Sequence, residues 1–267
     1  MQGSSNEARQ HRVEVLRELN LYPLWQLRRK SADALGSGEH QPVMDKPVSA
    51  TSPHEPIVSP KMPDAETGSL HWPQLKKRVT ECTACELRAG CIQTVFGTGD
   101  QKADWLFVGS WPTEDDEAKG EPFAGQAGQL LDNMLAAIKL KRGVNVYLAN
   151  VVKCSGSIKR SPQKSEINQC SPYLMRQIQL IQPSVIVALG HATATAMLGE
   201  DREWATLLGK VHEFRNFSKD DTLKTIPLII THHPAALLLS PANKVQTWQD
   251  LCLARDVMQS LPDRKLK

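Results

Sequence analysis

Four short apolar runs, each leading into a glycine or polar residues, set the rhythm of the chain. They are DWLFVG (104–109), VYLANVV (146–152), SVIVALG (184–190) and PLIITH (227–232). Their length and their content of Val and Ile predict buried β-strands. Between them lie stretches of helical period, Gln129 to Ile138 and Glu166 to Ile181, the second with an apolar face of Ile167, Leu174, Ile178 and Ile181. This alternation predicts an α/β fold of three layers, a central mostly parallel sheet covered by helices on both faces. Sites in such sheets lie at the carboxyl ends of the strands. That rule draws together Gly109 and Ser110, Asn150 to Cys154, Gly190 and His191, and His232, His233 and Pro234.

The pattern does not extend to the beginning of the chain. In residues 12–30, Val13, Leu16 and Leu19 keep helical spacing until Pro23 interrupts. From Ser31 to Ser69 the composition turns to Ser, Pro, Gly, His and charge, with six prolines from Pro42 to Pro63. Such a segment buries too little surface to offset its ordering entropy. It reads as a disordered tether spanning roughly 35 Å. The expected division is therefore a docking peptide at 1–30, a linker at 31–69 and a folded domain at 70–267. The whole chain has 267 residues, 40% of them apolar, and a net charge of +3, which permits a polyanionic partner without requiring one. No segment has the apolar core of a signal peptide or the ~20 apolar residues of a membrane span. A cytoplasmic protein without membrane contact is expected, in which six cysteines serve as thiols or metal ligands rather than disulfides.

Cys82 and Cys85 form a C-x2-C pair; Cys154 and Cys170 stand apart from it. Two close ligands and two remote ones can close a four-thiolate site that pins the start of the domain to its middle. A lone buried cysteine is more often a small core residue, but Cys154 follows Lys153 in a polar loop. Cys91 and Cys252 read as ordinary thiols, although Cys91 is near enough to compete as a ligand. Zinc and an iron-sulfur cluster both suit this set.

From about Trp72 to Gln259 the chain resembles the family 4 uracil-DNA glycosylases. CTACEL, VFGTG, GEPFAGQAGQLLD, ANVVKC, EINQCSPYL, IQPSVIVALG and HHPAALLLSP follow that family's signatures in order. The resemblance implies a uracil-DNA glycosylase-like fold and a 4Fe-4S cluster on Cys82, Cys85, Cys154 and Cys170 with a structural role. It also implies that Phe123 stacks on a base flipped out of the helix, that Asn150 reads the edge of that base, and that His233 faces it as it departs. Where the family carries Gly-Glu-x-Pro-Gly, this chain has Gly109-Ser110-Trp111-Pro112-Thr113. A serine hydroxyl cannot activate water as a carboxylate does, and losing a general base typically costs ~100 to 10,000-fold in rate. Ser110 is thus a degenerate catalytic position. Glu114 to Glu117 read as a solvated face, with Glu114 or Asp115 as candidate replacements for the carboxylate. SGSIKRSP (155–162) replaces the family's Arg-Pro-Pro-Gly-Asn-Arg stretch, leaving Lys159 and Arg160 to meet phosphates. PAALLLSP (234–241) keeps the leucines that a wedge into the duplex needs.

Glu14 to Leu35 is similar to the N-terminal peptide of the psi subunit of the bacterial DNA polymerase III clamp-loader assembly. The likeness centres on Trp25, Leu27, Arg28 and Arg29, and it implies clamp-loader subunits as partners beside single- or double-stranded DNA. Two functions are expected in competition. One is an iron-sulfur DNA-binding protein with weakened or lost base excision, tethered to the replication machinery; the other is an active uracil-DNA glycosylase.

Overall fold

The computed structural model describes residues 65–155, 160–217 and 223–261. Six strands, β1 (Thr98–Gly99), β2 (Trp105–Gly109), β3 (Val146–Asn150), β4 (Val185–Leu189), β5 (Val211–Phe217) and β6 (Leu223–Thr231), form one sheet. Their order is β1-β3-β2-β4-β6-β5. The inner four run parallel, while β1 and β5 pair antiparallel at the two edges. Every residue of β2, β3 and β4 is buried, as continuous apolar runs in a sheet covered on both faces require. All four strands expected from the sequence are present. The antiparallel edges were not expected: β1 has two residues, and β5 (VHEFRNF) is mixed with charge.

Period two along the strands sorts the core into two layers. Leu106, Val108, Tyr147, Ala149, Ile186, Ala188, Leu228 and Ile230 face one way, toward α2 (Trp72–Thr80) and α5 (Lys164–Ile181). Trp105, Phe107, Val146, Leu148, Val185, Val187 and Ile229 face the other, toward α4 (Gln126–Ala137) and α9 (Lys244–Ser260). The short helices α3 (Glu114–Lys119), α6 (His191–Leu198) and α8 (Pro234–Leu239) begin just beyond the ends of β2, β4 and β6. Another short helix, α7 (Trp204–Leu207), precedes β5.

Order begins before residue 70. Helix α1 (Ala65–Ser69) lies against α5 inside the span read as linker. Thr67 is buried, and Arg78 donates to Glu66 at 3.1 Å. Five residues carry too little periodicity to reveal a helix whose stability comes from tertiary contacts. Residues 65–69 are the part of the span read as linker that the structure describes. The expected docking residues Trp25, Leu27, Arg28 and Arg29 lie outside the described residues.

Candidate functional site

The carboxyl ends of β2 and β3 stand side by side, Gly109 opposite Asn150. By the same alternation both positions belong to the layer of Phe107 and Leu148, which is also the layer of Phe123. A Cβ on Gly109 would run into Asn150 Oδ1 and come within 2.7 Å of Phe123 Cζ. Glycine alone leaves a notch here, and the Asn150 amide and the Phe123 ring occupy it. Asn150 is buried, and its Nδ2 has no hydrogen-bond partner. Leaving a buried amide unpaired costs roughly 1–3 kcal/mol. Among the described residues that condition is shared only with Ser171 Oγ, so it marks a site rather than a habit of the fold.

Two further groups close the crevice. Phe123, 6% exposed, has φ +58°, a left-handed conformation that costs a residue with a side chain roughly 1–2 kcal/mol. His233 caps α8, and its Nδ1 accepts from Ala235 N–H at 3.2 Å. With Nδ1 engaged, the neutral ring carries its proton on Nε2. The two rings meet with centroids 5.7 Å apart, within aromatic contact. Gly190 (φ +92°) permits the approach of His233, since a Cβ there would stand 3.1 Å from that of the histidine. Burial pulls the His233 imidazole down to about 4, against the opposing pull of the Asp116 carboxylate. His233 is thus an uncharged donor at neutral pH.

The loop from Ser110 to Glu117 departs from the solvated face that its sequence suggests. Thr113 caps α3 in a reciprocal box: its Oγ1 accepts from Asp116 N–H at 3.3 Å, and its own N–H donates to Asp116 Oδ2 at 2.9 Å. Asp116 Oδ1 also accepts from Ala124 N–H at 2.6 Å. Asp116 and Glu117 are buried; Glu114 and Asp115 are exposed. The carboxylate whose field reaches His233 is therefore Asp116. Glu117 points elsewhere, accepting from Ile92 N–H at 3.0 Å and Ser155 N–H at 2.7 Å. Burial pushes its carboxyl up, but hydrogen bonds from the Cys91 thiol, Ser155 and Ile92 outweigh it and the net shift is down. Trp111 packs on the layer opposite Phe123, so its bulk does not fill the notch.

On that opposite layer, Cys82, Cys85, Cys154 and Cys170 line one small cavity, part of it open to solvent, together with Lys153 and Tyr173. Among the described residues no three His, Cys, Asp or Glu side chains close into a group that could hold a metal ion. Burial pushes the Cys170 thiol up to about 12 against the opposing Lys153 ammonium. The Cys85 thiol is raised by burial, and that of Cys154 by a hydrogen bond with Cys91 and by burial. Tyr173 donates to Cys82 Sγ at 3.4 Å. Lys153, completely buried, donates to the Asn150 carbonyl and to Gln177 Oε1, both at 2.8 Å. Burial lowers its ammonium to about 8, opposed by Cys170 and Cys154. Lys153 thus joins the cradle to the strand end that carries Asn150.

Sequence reasoning passed over Asp116, Lys153 and Arg142. For Asp116 the pattern Thr-x-x-Asp was the available signal. Arg160 was expected to meet phosphate, yet it donates twice to Glu166 at 2.8 Å; Lys159 lies outside the described residues. Leu238 and Leu239 of α8 are exposed, Leu239 at 87%, while Leu237 is buried.

The model of the uracil DNA glycosylase superfamily matches residues 96–252. The chain belongs to that superfamily. It is 39% identical over 169 residues to a type-4 uracil-DNA glycosylase of Archaeoglobus fulgidus, covering 62% of this chain and 82% of that protein. It is 34% identical over 180 residues to one from Pyrobaculum aerophilum, covering 67% and 91%. It is 36% identical over 172 residues to one from Thermotoga maritima, covering 64% and 85%. The superfamily match holds Gly109, Phe123, Asn150 and His233, and it begins after Cys82 and Cys85.

Proposed function

We propose that this uracil DNA glycosylase superfamily member binds DNA, takes a flipped uracil into the crevice of Phe123, Asn150 and His233, and excises it slowly. The observation that carries the reading is the unpaired, buried amide of Asn150, packed at Gly109 beside the Phe123 ring. Uracil supplies its missing partners, because O4 accepts and N3–H donates, whereas cytosine reverses both. Entry of the base displaces the contact between Phe123 and His233 and replaces it with stacking on Phe123, while Leu238 and Leu239 hold the gap left in the DNA.

As the C1′–N1 bond breaks, its electron pair moves into the uracil ring and onto O2. Neutral His233, with Nδ1 already engaged, presents Nε2–H to that charge, a contact that strengthens in the transition state. Water then bonds to C1′ and loses its proton. Ser110 offers only a neutral hydroxyl to that water, and Asp116 has an oxygen committed to each of two backbone N–H groups. Excision therefore proceeds, but at a rate set without a dedicated general base.

The thiol cradle fits a 4Fe-4S cluster held by Cys82, Cys85, Cys154 and Cys170. Four sulfurs line one space, Cys154 and Cys170 buried and Cys82 and Cys85 half-buried, beside a cation that offsets thiolate charge. A single zinc ion would instead draw all four to about 2.3 Å from one centre. Such a cluster supplies a cross-link between chain segments. The N-terminal stretch around Trp25, Leu27, Arg28 and Arg29 serves in this reading as a tether to a clamp-loader subunit, a role supported by its sequence alone.

Single-turnover excision from a uracil-containing single strand tests the reading. Measurable release, abolished by His233→Ala and far slower than that of a relative with Glu at the Ser110 position, is expected. Release at a rate equal to that relative would contradict the weakened-excision reading, and none at all would remove the enzyme.

A further inference from the structure

The geometry points to Arg142 as the positioning residue that holds Phe123 in its stacking conformation, an inference that rests on the base-binding reading above. A left-handed phenylalanine persists only where its surroundings over-determine it. Here one guanidinium fixes the peptide groups on both sides of the strained residue. Arg142 Nη1 donates to the Pro122 carbonyl, on the N-terminal side, at 3.0 Å, and Nη2 donates to the Phe123 carbonyl, on the C-terminal side, at 3.1 Å. The next N–H, that of Ala124, is held by Asp116.

The guanidinium is itself oriented. Its Nε donates to Asp132 Oδ1 of α4 at 2.8 Å, and the side chain is only 23% exposed. All three edges of the fork are in use, which an ammonium on a flexible stem cannot reproduce. Gly128 completes the arrangement, because a Cβ there would collide with the Phe123 carbonyl oxygen and drive it off the arginine. If Phe123 relaxed to an extended φ, its ring would leave the notch at Gly109 and the contact with His233. Arg142 hydrogen-bonds to Asp132, Pro122 and Phe123 rather than to either of those residues. Its effect on a bound base must pass through Phe123.

The test compares affinities of the full chain for two single strands that differ at one position. One carries 2′-fluoroarabino-uridine, whose fluorine blocks excision, and the other a tetrahydrofuran abasic site. Their ratio isolates the base. For the wild type it is expected to be about 5 to 150, the usual worth of stacking one base on an aromatic ring. Phe123→Ala should lower the ratio, and Arg142→Gln should lower it nearly as far while leaving the abasic affinity unchanged. The double variant should match Phe123→Ala, since residues acting as one unit are not additive. Asp132→Asn, which keeps the arginine but frees its third edge, should give a smaller fall and guards against misfolding of the Arg142 variant. A wild-type ratio retained in both Arg142→Gln and Asp132→Asn, or losses that add in the double variant, would overturn the positioning role while leaving the pocket intact. A wild-type ratio of one would overturn the base-binding reading with it.

Discussion

Ser110 follows the glycine that opens the notch, and its neighbours explain why a lost carboxylate there is not simply replaced. Asp116 is buried and near enough to act on His233, yet it is engaged by Thr113 N–H and Ala124 N–H. Its work is to hold the loop together. Ser110→Glu should therefore raise single-turnover excision by about 100-fold, the lower end of what a general base contributes; an unchanged rate would place the water elsewhere. Adding Thr113→Gly removes the cap hydroxyl, so its melting temperature should fall by about 1 °C, as a glycine cap costs a few tenths of a kcal/mol. At this scale the sequence shows which residues stand at strand ends, because period two and the end of each apolar run are local. The direction of Asp116 and Glu117 was not legible. Four consecutive acids look like a solvated face until tertiary contacts bury two of them.

Among the elements, the four inner strands and helices α4 and α5 could be read from periodicity, since each must bury itself wherever the chain places it. Helix α1 and the edge strands β1 and β5 could not, being short or charged and stabilised by partners distant in sequence. Helix α8 shows what an element contributes beyond position. Its cap, His233, is held down to about 4, and burial also lowers His232 against the pull of Asp250. Unfolded histidines titrate near 6.5, so between about 6.5 and 4 the unfolded chain binds protons that the folded chain does not. Stability is fully present above 6.5 and falls as pH drops through that window. Thermal melts from pH 7 to 4.5 should show a declining midpoint in the wild type and a flatter one in His233→Gln. A midpoint equally steep in both would mean that His233 is not held neutral.

Across the whole molecule, the thiol cradle and the base crevice lie on opposite layers of the sheet and are joined through Lys153, between Cys154 and the Asn150 carbonyl. The cysteine spacing made the cradle visible in sequence; the joining lysine lay in the same motif, and only the fold shows where its amine goes. If the cradle holds the proposed cluster, the purified protein should be brown and contain iron, and Cys154→Ser should lose both and lower its melting point, because binding energy at such a site is folding energy. One zinc per chain in the wild type would contradict the cluster assignment. The central claim, that Asn150 reads uracil, is tested most directly by the affinity for single strands carrying 2′-fluoroarabino-uridine or 2′-fluoroarabino-cytidine. A preference for uracil of about 5 to 150-fold, the cost of leaving one buried amide mismatched, should disappear in Asn150→Ala. Equal affinity for the two bases, or a preference that survives the loss of the amide, would contradict it.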